Sequence, residues 1–461
     1  MAAHSAFDID LIRRYDGHGP RYTSYPTAPQ FDNAFGEREY RERAERGNAV
    51  AGPLSLYVHL PFCPSPCFYC ACTRLITRQP HVVESYLDRL LREVEIQGGL
   101  FDADRPVEQI AWGGGTPTYL TPAQIAALMT ALGRHFTLSR SARREFTIEI
   151  DPRTVDEEAI ETLAALDFNR VSLGVQDFDP DVQQAVNRVQ PISQVARVLA
   201  QLRRVGFESI NFDLIYGLPK QTPGRFDATL REVIAMRPER IALYSYAHLP
   251  ELFKPQTRIA AADLPSPEVK LSLLETAVEK LGEAGYVYIG MDHFALPDDE
   301  LVAAQREGRL HRNFQGYSTH SGCDLVGMGM SAISNLAGSY SQHDKTLAGY
   351  QTAIDEGRLP VARGMRLDDD DLLRRDVIQG LMCNPRLEFA DIERRHGIVF
   401  TEYFASELID LAPMEADGLV FVDPEGIDIL PAGRLLLRPI AMVFDAYLRR
   451  RDTATRYSKV I

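Results

Sequence analysis

Leu54-Ser-Leu-Tyr57-Val-His59-Leu-Pro61-Phe62-Cys63-Pro-Ser-Pro-Cys67-Phe68-Tyr69-Cys70-Ala71-Cys72 is the stretch on which the reading of this chain turns. An apolar, strand-like run ends in four cysteines within ten residues, and only Cys323 and Cys383 stand elsewhere. The opening Met-Ala-Ala-His-Ser-Ala-Phe-Asp-Ile-Asp has neither a basic leader nor an apolar signal core, so the expectation is reduced thiols in the cytoplasm rather than disulfides. Soft thiolates this close bind zinc or an iron–sulfur cluster. Neither Cys323 nor Cys383 has a Cys or His at knuckle spacing, so a zinc site would have to close on the loop itself. Cys-x3-Cys-x2-Cys suits one loop holding three corners of a [4Fe–4S] cube. The fourth iron is then left open to chelate a small ligand and pass it an electron, as the radical chemistry of S-adenosylmethionine (SAM) requires. Structural zinc and a closed four-thiolate cluster using Cys72 are the alternatives.

Working outward, strand-like runs alternate with amphipathic ones. The strands read as Leu54–Phe62, Gln109–Gly114, Glu145–Asp151, Arg170–Gln176, Ser209–Tyr216 and Arg240–Tyr246. The clearest helix is Ser193–Val205, with Ser193 as cap, one apolar face from Val195 to Val205, and Gly206 as the stop. Six βα repeats imply a parallel sheet with right-handed crossovers, curled into a full or partial barrel. Such folds place chemistry at the carboxyl ends of strands. There stand Cys63, then Gly113-Gly114-Gly115-Thr116-Pro117, then Glu149 and Asp151, then Gln176; Asp213 lies in the fifth strand and Tyr246-Ala247-His248 closes the sixth.

The triple glycine brings backbone close to a ligand, and beside a cluster reads as a cradle for a methionyl amino group; a tight strand-to-loop turn is the plainer reading. Glu149 and Asp213 would accept hydrogen bonds from ribose hydroxyls or an amine, or simply cap the helices that follow. Gln176 and Arg188 suit adenine edges or a carboxylate, although an arginine on a helix is by default a surface charge. Tyr57 and His59 share one strand face, so proton donation near the cluster competes with a satisfied core histidine.

At 461 residues and 45% hydrophobic content, the chain is long enough for a large domain and a smaller one. No apolar run approaches the roughly 20 residues of a membrane helix. The net charge of −14 argues against a phosphate-tracking, nucleic-acid-binding protein. A second block starts near Met365 with the acidic run Asp368-Asp369-Asp370-Asp371, read as a solvated helix start. Its Asp423-Pro-Glu-Gly426 reads as a hairpin turn, giving a winged-helix-like module whose acidic wing suits packing better than DNA.

These residues resemble the radical SAM superfamily and, within it, the oxygen-independent coproporphyrinogen III oxidase (dehydrogenase) family. The resemblance extends to Gly19-Pro-Arg21-Tyr22-Thr-Ser-Tyr25-Pro-Thr27, Trp112–Tyr119, Gly174-Val-Gln-Asp-Phe178, Asp213–Gln221, Gly290-Met-Asp-His-Phe294, His311-Arg-Asn-Phe-Gln-Gly-Tyr317 and Tyr457–Ile461, essentially the entire chain. Phe68-Tyr69 and Ala71 depart from the family's usual Tyr-Phe and Gly.

The resemblance implies an α/β chain with a radical SAM partial (β/α)6 barrel and a mainly helical, winged-helix-like C-terminal domain. It divides as 1–50 (a segment folding over the active site), 51–364 (catalytic) and 365–461. It implies anaerobic haem biosynthesis, in which the ring A and B propionates of coproporphyrinogen III are oxidatively decarboxylated to vinyl groups, giving protoporphyrinogen IX. Cys63, Cys67 and Cys70 would ligate the cluster and Cys72 would be required without ligating it, alongside Tyr57 and His59. Of two SAM molecules, Tyr57, Gly114, Glu149 and Ile333 would contact the first. Tyr69, Gly115, Thr116, Gln176, Arg188, Asp213 and Ala247 would contact the second, with Phe314 and Gln315 in the same cavity. Propionates need cationic or hydrogen-bonding anchors, for which Arg21 and Tyr22 are the candidates; a structural tether is the plainer reading of that segment. Implied partners are a reductant such as flavodoxin or ferredoxin and an electron acceptor, with a monomeric, cytoplasmic enzyme. The rival within the superfamily is a haem chaperone without decarboxylase activity, which would lack Cys72 and the Arg21–Pro26 segment.

Overall fold

The computed structural model describes residues 7–450 and Tyr457; the Met1–Ala6 part of the opening stretch, and Ser458–Ile461 of the closing motif, lie outside the described residues. Six parallel strands form the main arc: β1 (Leu54–Leu60), β2 (Pro106–Gly114), β3 (Glu145–Ile150), β4 (Arg170–Gln176), β5 (Ser209–Tyr216) and β6 (Arg240–Ser245). Their neighbour order follows the chain, as right-handed βαβ crossovers dictate. The first strand stops at Leu60 rather than Phe62, because Pro61 lacks the N–H that would continue the ladder. Beyond β6 the sheet continues antiparallel through β8 (His293–Ala295) to β7 (Val287–Gly290). Beyond β1 it continues through β11 (Asp324–Met328), β12 (Ile333–Asn335), β13 (Ser339–His343) and β14 (Val361–Arg366). The two ends do not pair, so the barrel is partial. A separate hairpin, β9 (His311–Asn313) and β10 (Gly316–Ser318), contributes to the lining of the lumen.

Crossover helices start at side-chain caps: Thr121 for Pro122–His135, Asp156 for Glu157–Ala165, Thr222 for Pro223–Met236 and Ser266 for Pro267–Glu283. Neither Glu149 nor Asp213 caps anything, which leaves both carboxyls for the barrel mouth. The expected Ser193 cap is not formed: the helix runs Ile192–Arg204 from Pro191, and Gly206 ends it at φ +92°.

The C-terminal block packs helix Asp369–Cys383 and helix Ala405–Ala416 with a three-stranded sheet of β15 (Arg386–Glu388), β16 (Val420–Asp423) and β17 (Gly426–Ile429). Asp423 and Gly426 face each other across the expected hairpin turn. The acidic run is not simply solvated. Asp368 caps the helix in a reciprocal box with Asp371, Asp371 is buried against Tyr447, and Asp370 holds Arg374 and Tyr403. This block shares a second apolar core with Ile12, Tyr22 and Tyr25 of the N-terminal segment and with Ile289 and Ala295 of the sheet edge. Among the described residues no helix is long and apolar enough to cross a membrane.

Candidate active site

The cluster loop is pinched at its neck. Phe62 and Cys63 pair with Leu75 and Ile76 in a two-residue ladder, and the Leu75 N–H donates to the Pro61 carbonyl at 2.6 Å. Inside the loop, Arg74 donates to the carbonyls of Cys70 (3.1 Å), Cys72 (3.2 Å) and Cys67 (3.4 Å). One guanidinium thus fixes the backbone at three of the four cysteines. Sequence pattern had not singled Arg74 out.

All four thiols line one cavity of about 330 Å3, together with Tyr69, Gly114, Gly115, Thr116, Glu149, Gln176, Arg188 and Asp213. Among the described residues no three Cys, His, Asp or Glu side chains converge closely enough to hold a single metal ion. The thiols instead surround a space, as a multi-iron cluster needs. The charge environment suits an anionic cluster: Arg153 and Arg188 both reach Cys67 Sγ, at 3.4 and 3.5 Å, and are held by Asp151 at 2.7 and 3.0 Å. Arg188 is buried, not a surface charge, and its Nε has no partner. A hydrogen bond from Cys72, with Arg74 nearby, pulls the Cys70 thiol down to about 6, and the same contact holds Cys72 well above the usual thiol range. Burial pushes Cys63 up to about 11, against the Thr116 hydroxyl at 3.4 Å.

The glycines are required sterically, one by one. A Cβ on Gly113 would lie 2.7 Å from the Glu149 carboxylate, on Gly114 2.5 Å from the His59 ring, and on Gly115 2.6 Å from the Pro61 backbone. Gly114 has φ +110°. The turn therefore closes tightly on the strand that delivers Cys63 while its Gly114–Gly115 edge faces the cavity.

Glu149 accepts from the Gly114 N–H (3.1 Å); withdrawal from solvent, with Asp213 nearby, raises its carboxyl to about 7. Asp213 accepts from Ser172 (2.8 Å) and Asn211 (2.9 Å), and burial raises it to about 6. Both also line a second cavity of about 300 Å3, the barrel lumen, with Tyr57, Tyr244, Phe314 and Gln315. The cysteine cavity and the lumen thus meet at Glu149, Ser172, Asp213 and Tyr244.

His59 is buried and lines neither cavity. Burial lowers it to about 4, so it is neutral. Its Nε2 then donates to the Thr73 carbonyl (3.0 Å), which assigns Nδ1 as acceptor from the Tyr57 hydroxyl (3.2 Å). Ala247 and Ile333 also lie outside both linings. Ala247 is tied to the site by Gln256, whose Nε2 donates to the Tyr69 (3.0 Å) and Ala247 (3.2 Å) carbonyls; no motif pointed to Gln256. Tyr22 is not placed as a propionate anchor, because its side chain is buried and donates to Asp445 at 2.9 Å. Arg21 lines neither cavity; it is ion-paired to Asp292, with its guanidinium 5.7 Å from the ring centre of Tyr244, which lines both.

A partial parallel barrel, a three-plus-one cysteine loop after its first strand and a glycine turn after its second define a radical SAM protein. The profile of the radical SAM superfamily matches residues 57–233, and that of the HemN C-terminal domain matches residues 367–436. The chain is 51% identical to the oxygen-independent coproporphyrinogen III oxidase of Pseudomonas aeruginosa, over 99% of each chain. It is 49% identical to that of Escherichia coli K12, over 99% of this chain and 98% of the other. The solved structure of coproporphyrinogen III oxidase from Escherichia coli, described as a radical SAM enzyme, superposes with a TM-score of 0.91 at 48% identity, covering 96% of this chain and 99% of that one. The chain belongs to the oxygen-independent coproporphyrinogen III oxidase family. Its cofactors are accordingly a [4Fe–4S] cluster and SAM, which the thiol-lined cavity, its guanidiniums and its glycine edge fit.

Proposed function

We propose that this protein decarboxylates the ring A and ring B propionates of coproporphyrinogen III to vinyl groups, giving protoporphyrinogen IX in the anaerobic route to haem. The observation that carries this reading is the junction of a cysteine-lined cavity with an open barrel lumen at Glu149 and Asp213. One cavity suits cluster and SAM, and the other receives the reacting arm of the tetrapyrrole. Held there, a cluster reduced by one electron and its SAM would supply hydrogen-atom abstraction at a propionate β-carbon, with loss of CO2 and return of one electron to an acceptor.

The chain's own part is to hold and shield. Cys63, Cys67 and Cys70 hold the cluster, and Arg74 keeps their loop in shape. Cys72 acts without ligating. Tyr57, Gly114, Glu149 and Ile333 serve the SAM at the cluster. Tyr69, Gly115, Thr116, Gln176, Arg188, Asp213 and Ala247 serve a second SAM, with Phe314 and Gln315 on the lumen side. Glu149, near neutrality in its titration, can accept or share a proton with an amine or hydroxyl. His59 orients Tyr57 by accepting a hydrogen bond from its hydroxyl.

We read residues 1–50 as a covering segment, 51–364 as the catalytic domain and 365–461 as a packing domain, a division supported by the two profile matches. A one-electron carrier such as flavodoxin or ferredoxin would reduce the cluster in a cytoplasmic, monomeric enzyme; six free cysteines support a reducing compartment. The test is anaerobic turnover of reconstituted protein with dithionite, SAM and coproporphyrinogen III, comparing wild type with Cys72→Ser for product and iron content. Protoporphyrinogen from wild type, with an iron-loaded but inactive variant, is expected. A fully loaded wild type that makes no product would refute the reading.

A further inference from the structure

We propose that Arg312, with Arg21 and His293 beside it, forms a carboxylate-binding corner of the barrel lumen that holds a propionate of the tetrapyrrole; this rests on the coproporphyrinogen reading above. Arg312 lies in β9 and is 3% exposed. Its Nε and Nη1 are buried without a hydrogen-bond partner, and it enters no ion pair among the described residues. Removing an unpaired guanidinium from water costs several kcal/mol. The Tyr317 ring offsets part of that cost, and the neighbouring arginines add to it. Arg312 and Arg21 raise the positive potential on each other, and on Arg438.

Arg312 and Arg21 are not themselves among the side chains lining the lumen; the rings they pack on connect their charge to it. The Arg312 guanidinium lies 4.7 Å over the Tyr317 ring, Tyr317 meets His293 edge-on at 5.2 Å, and both rings line the lumen. His293 Nδ1 is likewise buried without a partner. On its other side His293 meets Tyr244, which carries Arg21 and lines both cavities. Unsatisfied donors of this kind are rare in folded proteins unless a ligand completes them. A planar guanidinium fork matches a carboxylate. Glu149 and Asp213 stand with Tyr244 where the lumen joins the cysteine cavity, and Arg21 is already paired with Asp292, which leaves Arg312 as the guanidinium here without a carboxylate among the described residues.

Arg312→Met and Arg312→Lys test the assignment through three readouts: anaerobic binding of coproporphyrinogen III, KM against kcat, and thermal unfolding. Arg312→Met should weaken binding and raise KM about ten- to a hundred-fold, the range of a charge-assisted hydrogen bond, with a smaller effect on kcat. Its Tm should equal or exceed wild type, because an unpaired buried charge is gone. Arg312→Lys should recover part of the affinity, and the difference between wild type and Arg312→Met should vanish for the tetramethyl ester of the substrate. Unchanged binding by Arg312→Met, or an equal loss for the ester, would overturn the proposal. So would a lowered Tm with no recovery in Arg312→Lys. A wild type that neither binds nor converts coproporphyrinogen would instead refute the parent reading, and this one with it.

Discussion

At the residue scale the site is a set of side chains whose charge is decided by where the fold puts them. Arg74 is the simplest case, since one guanidinium takes the place of water on three carbonyls of a loop with little regular structure. Arg74→Ala should leave the barrel folded but reduce iron and sulfide retained after reconstitution by half or more, given about 1.5–3 kcal/mol for charge-assisted hydrogen bonds; chemical iron and sulfide analysis measures it. Glu149 gives a pH signature. In the unfolded chain it loses its proton near 4.5, whereas in the fold it keeps it to about 7. Between those values the folded state binds more protons, so stability falls as pH rises and flattens above about 7. Thermal melts of cluster-free protein should therefore show wild type losing Tm relative to Glu149→Gln as pH rises through that window, whatever slope the buried histidines, which act in the opposite sense, give to both. The cysteines and glycines were legible in sequence because their spacing is local. Arg74, Gln256 and Arg312 were not, because a lone Arg or Gln acquires meaning only from carbonyls, rings and anions brought to it by distant segments.

At the element scale, the six parallel strands were readable from apolar runs and turn residues, with errors of a residue or three at the ends. Pro61 truncated one strand, and Pro106-Val107-Glu108 extended another that pairs with Leu54. The Ser193 cap failed for a physical reason: Pro191 fixes the entry and the helix starts at Ile192, one residue before the serine. The family motif His311–Tyr317 already pointed Phe314 and Gln315 to the cavity, but not the β9–β10 hairpin that carries them, since its short strands pair only with each other. The contact between the first two strands' carboxyl ends carries the strongest constraint. Gly115 sits where any Cβ would strike the Pro61–Phe62 backbone, which leads directly to Cys63. Gly115→Ala must therefore push the cluster loop away from the turn, and overpacking of this kind costs about 1–3 kcal/mol. Urea unfolding should register that loss, and cluster content should drop with it.

At the scale of the whole molecule, the N-terminal segment is tied into the C-terminal block by bonds that no local pattern encodes. The Tyr22 hydroxyl donates to Asp445, the Ala446 N–H donates to the Tyr25 hydroxyl at 3.1 Å, and Arg438 donates to the carbonyls of Gly19 and Pro20. Arg21 lies inside that run and is thereby held over Tyr244 at the barrel mouth. The C-terminal block thus grips the segment that carries Arg21. Asp445 is the key link, because its second oxygen also accepts from the N–H groups of Tyr447 and Leu448 at 2.9 and 3.1 Å, starting the last described helix. Asp445→Ala removes both functions at once and should cost about 1–3 kcal/mol. If the segment positions Arg21 for substrate, the variant should be cut faster by protease within residues 16–27 and show a several-fold higher KM for the tetrapyrrole, while SAM affinity stays near wild type. Equal KM with faster cleavage would mean that the segment covers the site without positioning anything in it.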